Sequence, residues 1–237
     1  MIVSSSDTKA VLLVGGLGTR LRPVVPSAPK PLARIGDRPF LQLLVRQLAS
    51  QGLRRLVMCT GYLGDQIEHE FGDGTDFDVK IEYSQEPQAL GTAGAVKFAQ
   101  RYLETLPYFL VTNGDSFLDI DFNCLIHAHR LRKALATIAV LPVNNSGRYG
   151  TVRIDPSNNV LEFCEKTGQD LPGLINGGVY VFSSAILDHI PGGQVSLERD
   201  VFPQILSQGV YAVKQEGMFI DIGTPADYAN AQLLLER

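Results

Sequence analysis

The sequence predicts an α/β fold: a mixed, mainly parallel sheet with helices on both faces. Two patterns lead there. Short aliphatic and β-branched runs alternate with segments of helical apolar spacing, which is the signature of strand–helix repetition. The runs are also apolar at successive positions, as strands covered on both faces require. With 237 residues, 45% of them hydrophobic and 19% charged, the chain is long enough to bury a good core and suits one large domain better than two.

Taken in order, residues 11–14 (VLLV) read as a strand buried on both faces, followed at once by a glycine-rich turn. Pro39 opens a helix with Phe40, Leu43, Leu44, Gln47 and Leu48 at helical spacing, closed by Gly52. Residues 56–59 form a second strand, 63–71 a second helix, and Gly72, Asp73 and Gly74 a turn. Val79, Ile81 and Tyr83 alternate as a third strand. Gly91 to Gly94 open a helix running through Phe98 and Tyr102, whose free N–H groups are expected to face the ligand side of the sheet. Residues 108–112 make a fourth strand that stops at NGDSF, so Asp115 lies where open α/β sheets bind ligands. The second half is less regular, with strands expected at 136–141, 150–154, 160–165 and 178–182, punctuated by Asp155, Pro156, Asn158 and Asn159. A helix over 196–206, a last strand over 217–222 and a helix starting at Thr224-Pro225, with Asp227 in its first turn, complete the pattern. There is no internal repeat or linker, and no long C-terminal extension is expected beyond the last helix.

The formal charge of −4 gives no general attraction to nucleic acid or anionic membranes, so any anion must be bound locally. Cys59, Cys124 and Cys164 are far apart and in no metal-ligand spacing; they read as reduced buried thiols. His69, His127, His129 and His189 are expected in exposed helical segments. The N-terminal MIVSSSDTK lacks an apolar signal core and no apolar run approaches membrane-spanning length, which predicts a cytoplasmic protein.

The local anion site is the stretch 10–31. Gly15, Gly16, Gly18 and Thr19 let backbone N–H groups approach a ligand closely and point at it together. Arg20 and Lys30 add two positive charges, and Pro23, Pro26, Pro29 and Pro31 stiffen the segment carrying Lys30. A triphosphate satisfies these demands. The dinucleotide fingerprint fails because Leu21 stands where its last glycine belongs, and the ATPase loop is absent. A ligand-free glycine turn would account for the glycines but not for Arg20 and Lys30.

GGLGTRLRP followed by PKP, then EPQALGTAG and NGDSFLDID, resemble the signatures of the sugar-phosphate nucleotidyltransferases, enzymes that join a sugar 1-phosphate to a nucleotide and release pyrophosphate. The resemblance covers nearly the whole chain. It implies a Rossmann-like, glycosyltransferase-A-like single domain over 1–237, with a nucleotide-binding half at about 9–120 and a sugar-phosphate-binding half at about 121–237. It implies NTP and a sugar 1-phosphate as partners, Mg²⁺ as cofactor, and a monomer or homodimer. Arg20, Lys30 and Asp115 would be catalytic. Leu13, Gly15, Gly16, Gly18, Thr19, Arg20, Lys30, Glu86, Gly91, Thr92, Asn113 and Asp115 would surround the nucleotide. Asp115 and Asp221 would hold the metal; taken singly, each reads equally as a turn-capping aspartate. Gly150, Glu165, Lys166, Asn176 and Gly178 would take the sugar phosphate, with Tyr149 and Arg148 as lesser candidates. Glu165-Lys166 alone would read as an exposed ion pair, and Asn176, Gly177 and Gly178 as turn residues before a strand.

Glu86 would face the base. A carboxylate only accepts hydrogen bonds, and guanine offers two adjacent donors, which favours GTP. The alternative is that Glu86 bonds backbone amides of the LGTAG turn. The motifs are most similar to those of D-glycero-α-D-manno-heptose 1-phosphate guanylyltransferases, with Gln88-Ala89 as an insertion between EP and LGT. Mannose 1-phosphate guanylyl transfer and N-acetylmuramate 1-phosphate uridylyl transfer are the alternatives within the family. Outside it stand a non-catalytic nucleotide-sugar sensor, disfavoured because all the charged candidates are present, and a nicotinamide-dependent oxidoreductase.

Overall fold

The apolar runs become strands of one mixed, nine-stranded sheet in the computed structural model, which describes residues 8–164, 168 and 171–235. Strand β1 (Lys9–Leu13) leads through a loop over 14–29 into a single 3₁₀ turn, Lys30–Leu32, and a small ribbon of β2 (Arg34–Ile35) and β3 (Arg38–Pro39). Helix α1 (Phe40–Ser50), β4 (Arg55–Thr60), α2 (Gly64–Phe71), β5 (Lys80–Gln85), α3 (Gly91–Phe98) and β6 (Tyr108–Asn113) then alternate. Next come β7 (Ser116–Leu118), α4 (Phe122–Arg132), β8 (Ala136–Val143), the hairpin β9 (Thr151–Ile154) and β10 (Val160–Cys164), and the long β11 (Gly173–Ser183). The chain continues through α5 (Phe202–Ile205), β12 (Val210–Lys214), β13 (Phe219–Asp221) and α6 (Pro225–Leu235).

Strands β6, β1, β4 and β5 lie side by side and parallel. Beyond β6 the sheet turns antiparallel: β11 pairs with β6 on one side and with β8 on the other, and β12 adds parallel to β8. Both faces are covered because β1 alternates. Ala10 and Leu12 point into the core shared with Leu44 and Leu48 of α1, Ile67 of α2 and Leu125 of α4. Val11 points into the opposite core, with Val96 of α3 and Phe202 of α5. Helix α1 forms for the reason its spacing suggests: Phe40, Leu41, Leu44, Val45 and Leu48 share its buried face, and Pro39 holds an extended conformation before it.

Several expectations need correction. The strand expected at 178–182 begins earlier, at Gly173, so Gly177 and Gly178 lie within β11 and the alternative of a turn before the strand falls away. There Asn176 pairs with Val140 and Tyr180 with Ile138, so β11 carries two extra residues against β8. Gly178 takes φ of +70°, and a Cβ there would lie 2.7 Å from Asn113 Nδ2, so the protein itself requires this glycine. Strand β12 was not expected; its five residues mix buried and exposed positions too briefly to stand out. The helix expected over 196–206 is broken into a π-type turn (Leu197–Val201), α5 and a 3₁₀ turn. Of the cysteines only Cys59 is buried; Cys124 is exposed and Cys164 half-buried. His129 is buried rather than exposed, because it lies on the face of α4 turned to the sheet, where Nδ1 meets Thr137 Oγ1 at 3.0 Å. Among the described residues no helix is long and apolar enough to cross a membrane.

Candidate active site

The parallel register brings the glycine loop and the NGD turn together. Leu13 lies opposite Asn113, and the Gly114 N–H donates to the Leu13 carbonyl at 3.0 Å. On the other flank the Val14 N–H donates to Cys59, and the Glu86 N–H to Thr60. The loops after β1, β4, β5 and β6 therefore emerge along one edge of the sheet, at the C-terminal ends of its parallel strands. Close approach there leaves no space for a side chain at Gly15: a Cβ would lie 2.8 Å from Glu86 Oε1 and 3.1 Å from the Gly61 nitrogen.

A cavity of about 440 Å³ opens at this edge. It is lined by every one of the nucleotide candidates, from Leu13 and the glycine loop through Arg20, Lys30, Glu86, Gly91 and Thr92 to Asn113 and Asp115. A second cavity, of about 680 Å³, is lined by Gly150, Asn176, Gly178, Tyr149 and Asp221. Asn113 and Asp115 line both cavities, so the two share a wall at the NGD turn. Glu165 and Lys166 lie outside the described residues.

Lys30 lines the first cavity and is paired to Asp115 on this shared wall. It is buried, its Cβ is 3.0 Å from where a Cβ on Gly18 would stand, and its Nζ donates to Asp115 Oδ2 at 2.6 Å. Pro29 and Pro31 flank it in the 3₁₀ turn. Arg20 is exposed at the rim.

Asp221 joins Asp115 across the short ribbon of β13 and β7: Asp221 pairs with Ser116, and the Ile222 N–H donates to the Asp115 carbonyl at 3.0 Å. Burial, and then the charge of Asp115, push the Asp221 carboxyl above its ordinary value, with Lys30 opposing them. Two carboxylates that repel one another on the wall of the second cavity are oxygen donors suited to a hard divalent cation. Among the described residues no group of three or more His, Cys, Asp or Glu stands together as a metal cluster.

Some candidate groups are already engaged within the protein. Glu86 Oε2 accepts from the Leu90 N–H at 3.1 Å, so the backbone alternative holds for that oxygen, while the residue still lines the cavity. Burial raises its carboxyl above the ordinary value. The N-terminus of α3 is less free than expected, since Ala93 and Gly94 N–H groups both donate to the Val195 carbonyl. The Thr92 hydroxyl donates to Glu198 Oε2 and accepts from the Leu197 N–H. Asn176 donates to the Tyr180 hydroxyl and accepts from the Gly178 N–H. Arg148 pairs with Asp227 at the start of α6. Sequence reasoning missed Gln194 on the first cavity and Glu198 and Arg199 on the second. Their segment, QVSLER, carries no glycine or proline signature, and only the fold brings it beside α3.

The Nucleotidyl transferase family profile matches residues 9–237, and the chain belongs to that family. It is 39% identical over 230 residues to a D-glycero-alpha-D-manno-heptose 1-phosphate guanylyltransferase of Aneurinibacillus thermoaerophilus, a match covering 96% of this chain and 98% of the relative. It is 36% identical over 239 residues to the mannose-1-phosphate guanylyltransferase of Mycobacterium tuberculosis, where it covers 99% of this chain. The chain spans 66% of that longer relative, and 62% of a Drosophila pseudoobscura pseudoobscura catalytic subunit beta of the same name. The crystal structure of HddC from Yersinia pseudotuberculosis superposes with a TM-score of 0.86 at 34% identity, covering 96% of this chain and 99% of HddC; HddC was also solved complexed with GMP-PN.

Proposed function

We infer that the chain transfers a guanylyl group from GTP to a sugar 1-phosphate, D-glycero-α-D-manno-heptose 1-phosphate by preference, releasing pyrophosphate. The observation that carries this reading is the pair of cavities sharing Asn113 and Asp115, with the Lys30 ammonium on the first cavity bonded to Asp115 between them. One cavity suits a nucleotide and the other a sugar phosphate, and the new bond between the sugar-phosphate oxygen and the α-phosphorus would form beside Asp115 and Lys30. The sugar is suggested by the heptose 1-phosphate guanylyltransferase that this chain matches along 98% of its length.

A phosphate oxygen of the sugar 1-phosphate, already ionised at neutral pH, attacks the α-phosphorus in line. The new P–O bond forms as the bond to the oxygen leading to the β-phosphorus breaks, and pyrophosphate leaves with that electron pair. No protein nucleophile and no proton transfer is needed, so catalysis rests on positioning and charge stabilisation. The glycine loop holds the β- and γ-phosphates with Arg20. Lys30, released from Asp115, lies across the α-phosphate and the incoming phosphate. Asp115 and Asp221 would hold Mg²⁺, which when bound neutralises phosphate charge. Glu86 accepts from guanine through Oε1 and the remaining lone pair of Oε2. Gly150, Asn176 and Gly178, together with Glu165 and Lys166, would form the sugar-phosphate side. Mannose 1-phosphate is the second candidate, on the match to the mycobacterial relative.

The test is pyrophosphate release from a matrix of GTP, UTP, ATP and dTTP against heptose, mannose, glucose and N-acetylmuramate 1-phosphates. The GTP–heptose pair is expected to be fastest. Absence of pyrophosphate from every pair, with nucleotide still bound, would leave the sensor reading in its place.

A further inference from the structure

Asn176 and Glu198, both on the second cavity, are joined through Tyr180 by a chain of hydrogen bonds. Tyr180 is fully buried, among Phe109, Phe182 and Phe202, so it touches no substrate. Its ring stacks on Phe182, with centroids 5.5 Å apart. Its hydroxyl is the one polar part. It accepts from Asn176 Nδ2 at 2.7 Å and donates to Glu198 Oε1 at 3.0 Å. Burial, with the Glu198 charge beside it, pushes the phenol well above its ordinary value, so the proton stays on oxygen and the donation to Glu198 persists.

The bulge in β11 makes this possible. In a regular strand residues 176 and 180 would stand about 13 Å apart. Against β8 they span only the two steps from Val140 to Ile138, which folds the Asn176 amide back onto the Tyr180 hydroxyl. From Glu198 the chain continues. Its Oε2 accepts from Ser196 Oγ at 2.9 Å and from Thr92 Oγ1 at 3.2 Å. Asn176 and Glu198 both line the second cavity, whereas Thr92 lines the first. Among the described residues Glu198 has no cationic partner; three hydroxyls hold its charge at the cavity wall.

We propose that Tyr180 is the positioning residue of the acceptor cavity: its buried hydroxyl fixes the Asn176 amide and the Glu198 carboxylate in one geometry, and so sets how tightly the sugar 1-phosphate is held. The proposal rests on the transferase reading above. Removing the hydroxyl deletes one donor and one acceptor without changing the ring, leaving Asn176 Nδ2 and Glu198 Oε1 each short of a partner. The loss falls on the sugar cavity, because Thr92 and Ser196 still hold Glu198 Oε2.

The experiment is steady-state kinetics of the full chain with GTP and its best sugar 1-phosphate, comparing wild type with Tyr180→Phe. The expected result is a KM for the sugar phosphate raised about tenfold, the scale of one buried hydrogen bond, with KM for GTP unchanged. Ser196→Ala loosens Glu198 from its other oxygen and is expected to give the same split at smaller size; it carries the test if Tyr180→Phe does not fold. Phe109→Leu, a cavity in the same aromatic cluster with no polar atom involved, should lower Tm without the split. An unchanged sugar-phosphate KM, or equal rises in both KM values, in a folded Tyr180→Phe overturns the proposal. A wild-type protein that releases no pyrophosphate from any pair overturns the transferase reading instead.

Discussion

At the scale of single residues, Asp221, proposed above as a metal ligand, is held charged at a cost to stability. Its carboxyl is raised by burial and by Asp115, so the folded protein disfavours its charge. Asp221→Asn removes that repulsion while keeping shape. It is expected to raise Tm slightly and to lower kcat/KM by at least about a hundredfold. Asp115→Asn is expected to lose activity to a similar extent but to lower Tm, because it leaves the buried Lys30 ammonium without its partner. In both variants the EPR signal of Mn²⁺ held with GTP should be lost. Full turnover in either one removes that residue from the metal site. At the base, Glu86→Gln keeps an acceptor for Leu90 but replaces the other oxygen by a donor. The ratio of kcat/KM for GTP over UTP should fall by about tenfold or more. An unchanged ratio would give base choice to the main chain.

Among the elements, the packing of α4 on β8 carries a pH dependence. His129 is buried against Thr137 and Tyr108, and burial lowers its pKa from 6.5 to about 4. The folded state holds it neutral while the unfolded chain binds a proton below pH 6.5. Its share of stability is therefore complete above that pH and is lost as pH falls toward 4, about 3 kcal/mol in all. Urea unfolding at pH 7.0 and 5.0 should reveal the slope, and His129→Gln, which cannot titrate, should flatten it. The bulge of β11 is a second element-scale test. Gly178→Ala must adopt φ of +70° and meet Asn113, which should cost about 1–3 kcal/mol. A neutral result would mean that the bulge is not held by close packing.

For the whole molecule, an acidic protein must gather its cations where the phosphates lie. With a net charge of −4, long-range attraction is weak, so in the proposed site the binding energy would come from the glycine loop, Arg20 and Lys30. GTP with Mg²⁺ at a hundred times its Kd should stabilise the fold by about 2.7 kcal/mol, visible as a rise in Tm. Lys30→Met should abolish most of that rise, and retention of the full shift would place the phosphates elsewhere.

By itself the amino-acid sequence determined the alternation of strands and helices in the first half, and pointed to the glycine loop, Glu86, Asn113 and Asp115 on the first cavity, though not to Gln194. Both are local matters: a buried strand, a glycine turn and a carboxylate after a strand are written in consecutive residues, and the parallel register then brings Leu13 and Asn113 to the same edge. The second half was less legible because its organisation depends on pairing between distant segments. The bulge in β11 arises only when Asn176 and Tyr180 are held against β8, β12 exists as an addition to β8, and His129 is buried because its helix lies on the sheet. Glu198 lines the second cavity for the same reason. Nothing in its own neighbourhood marks it, and only the tertiary structure brings Thr92 and Tyr180 to its two oxygens, since hydrogen bonds across about 20 or 100 residues of chain are decided by packing rather than by spacing.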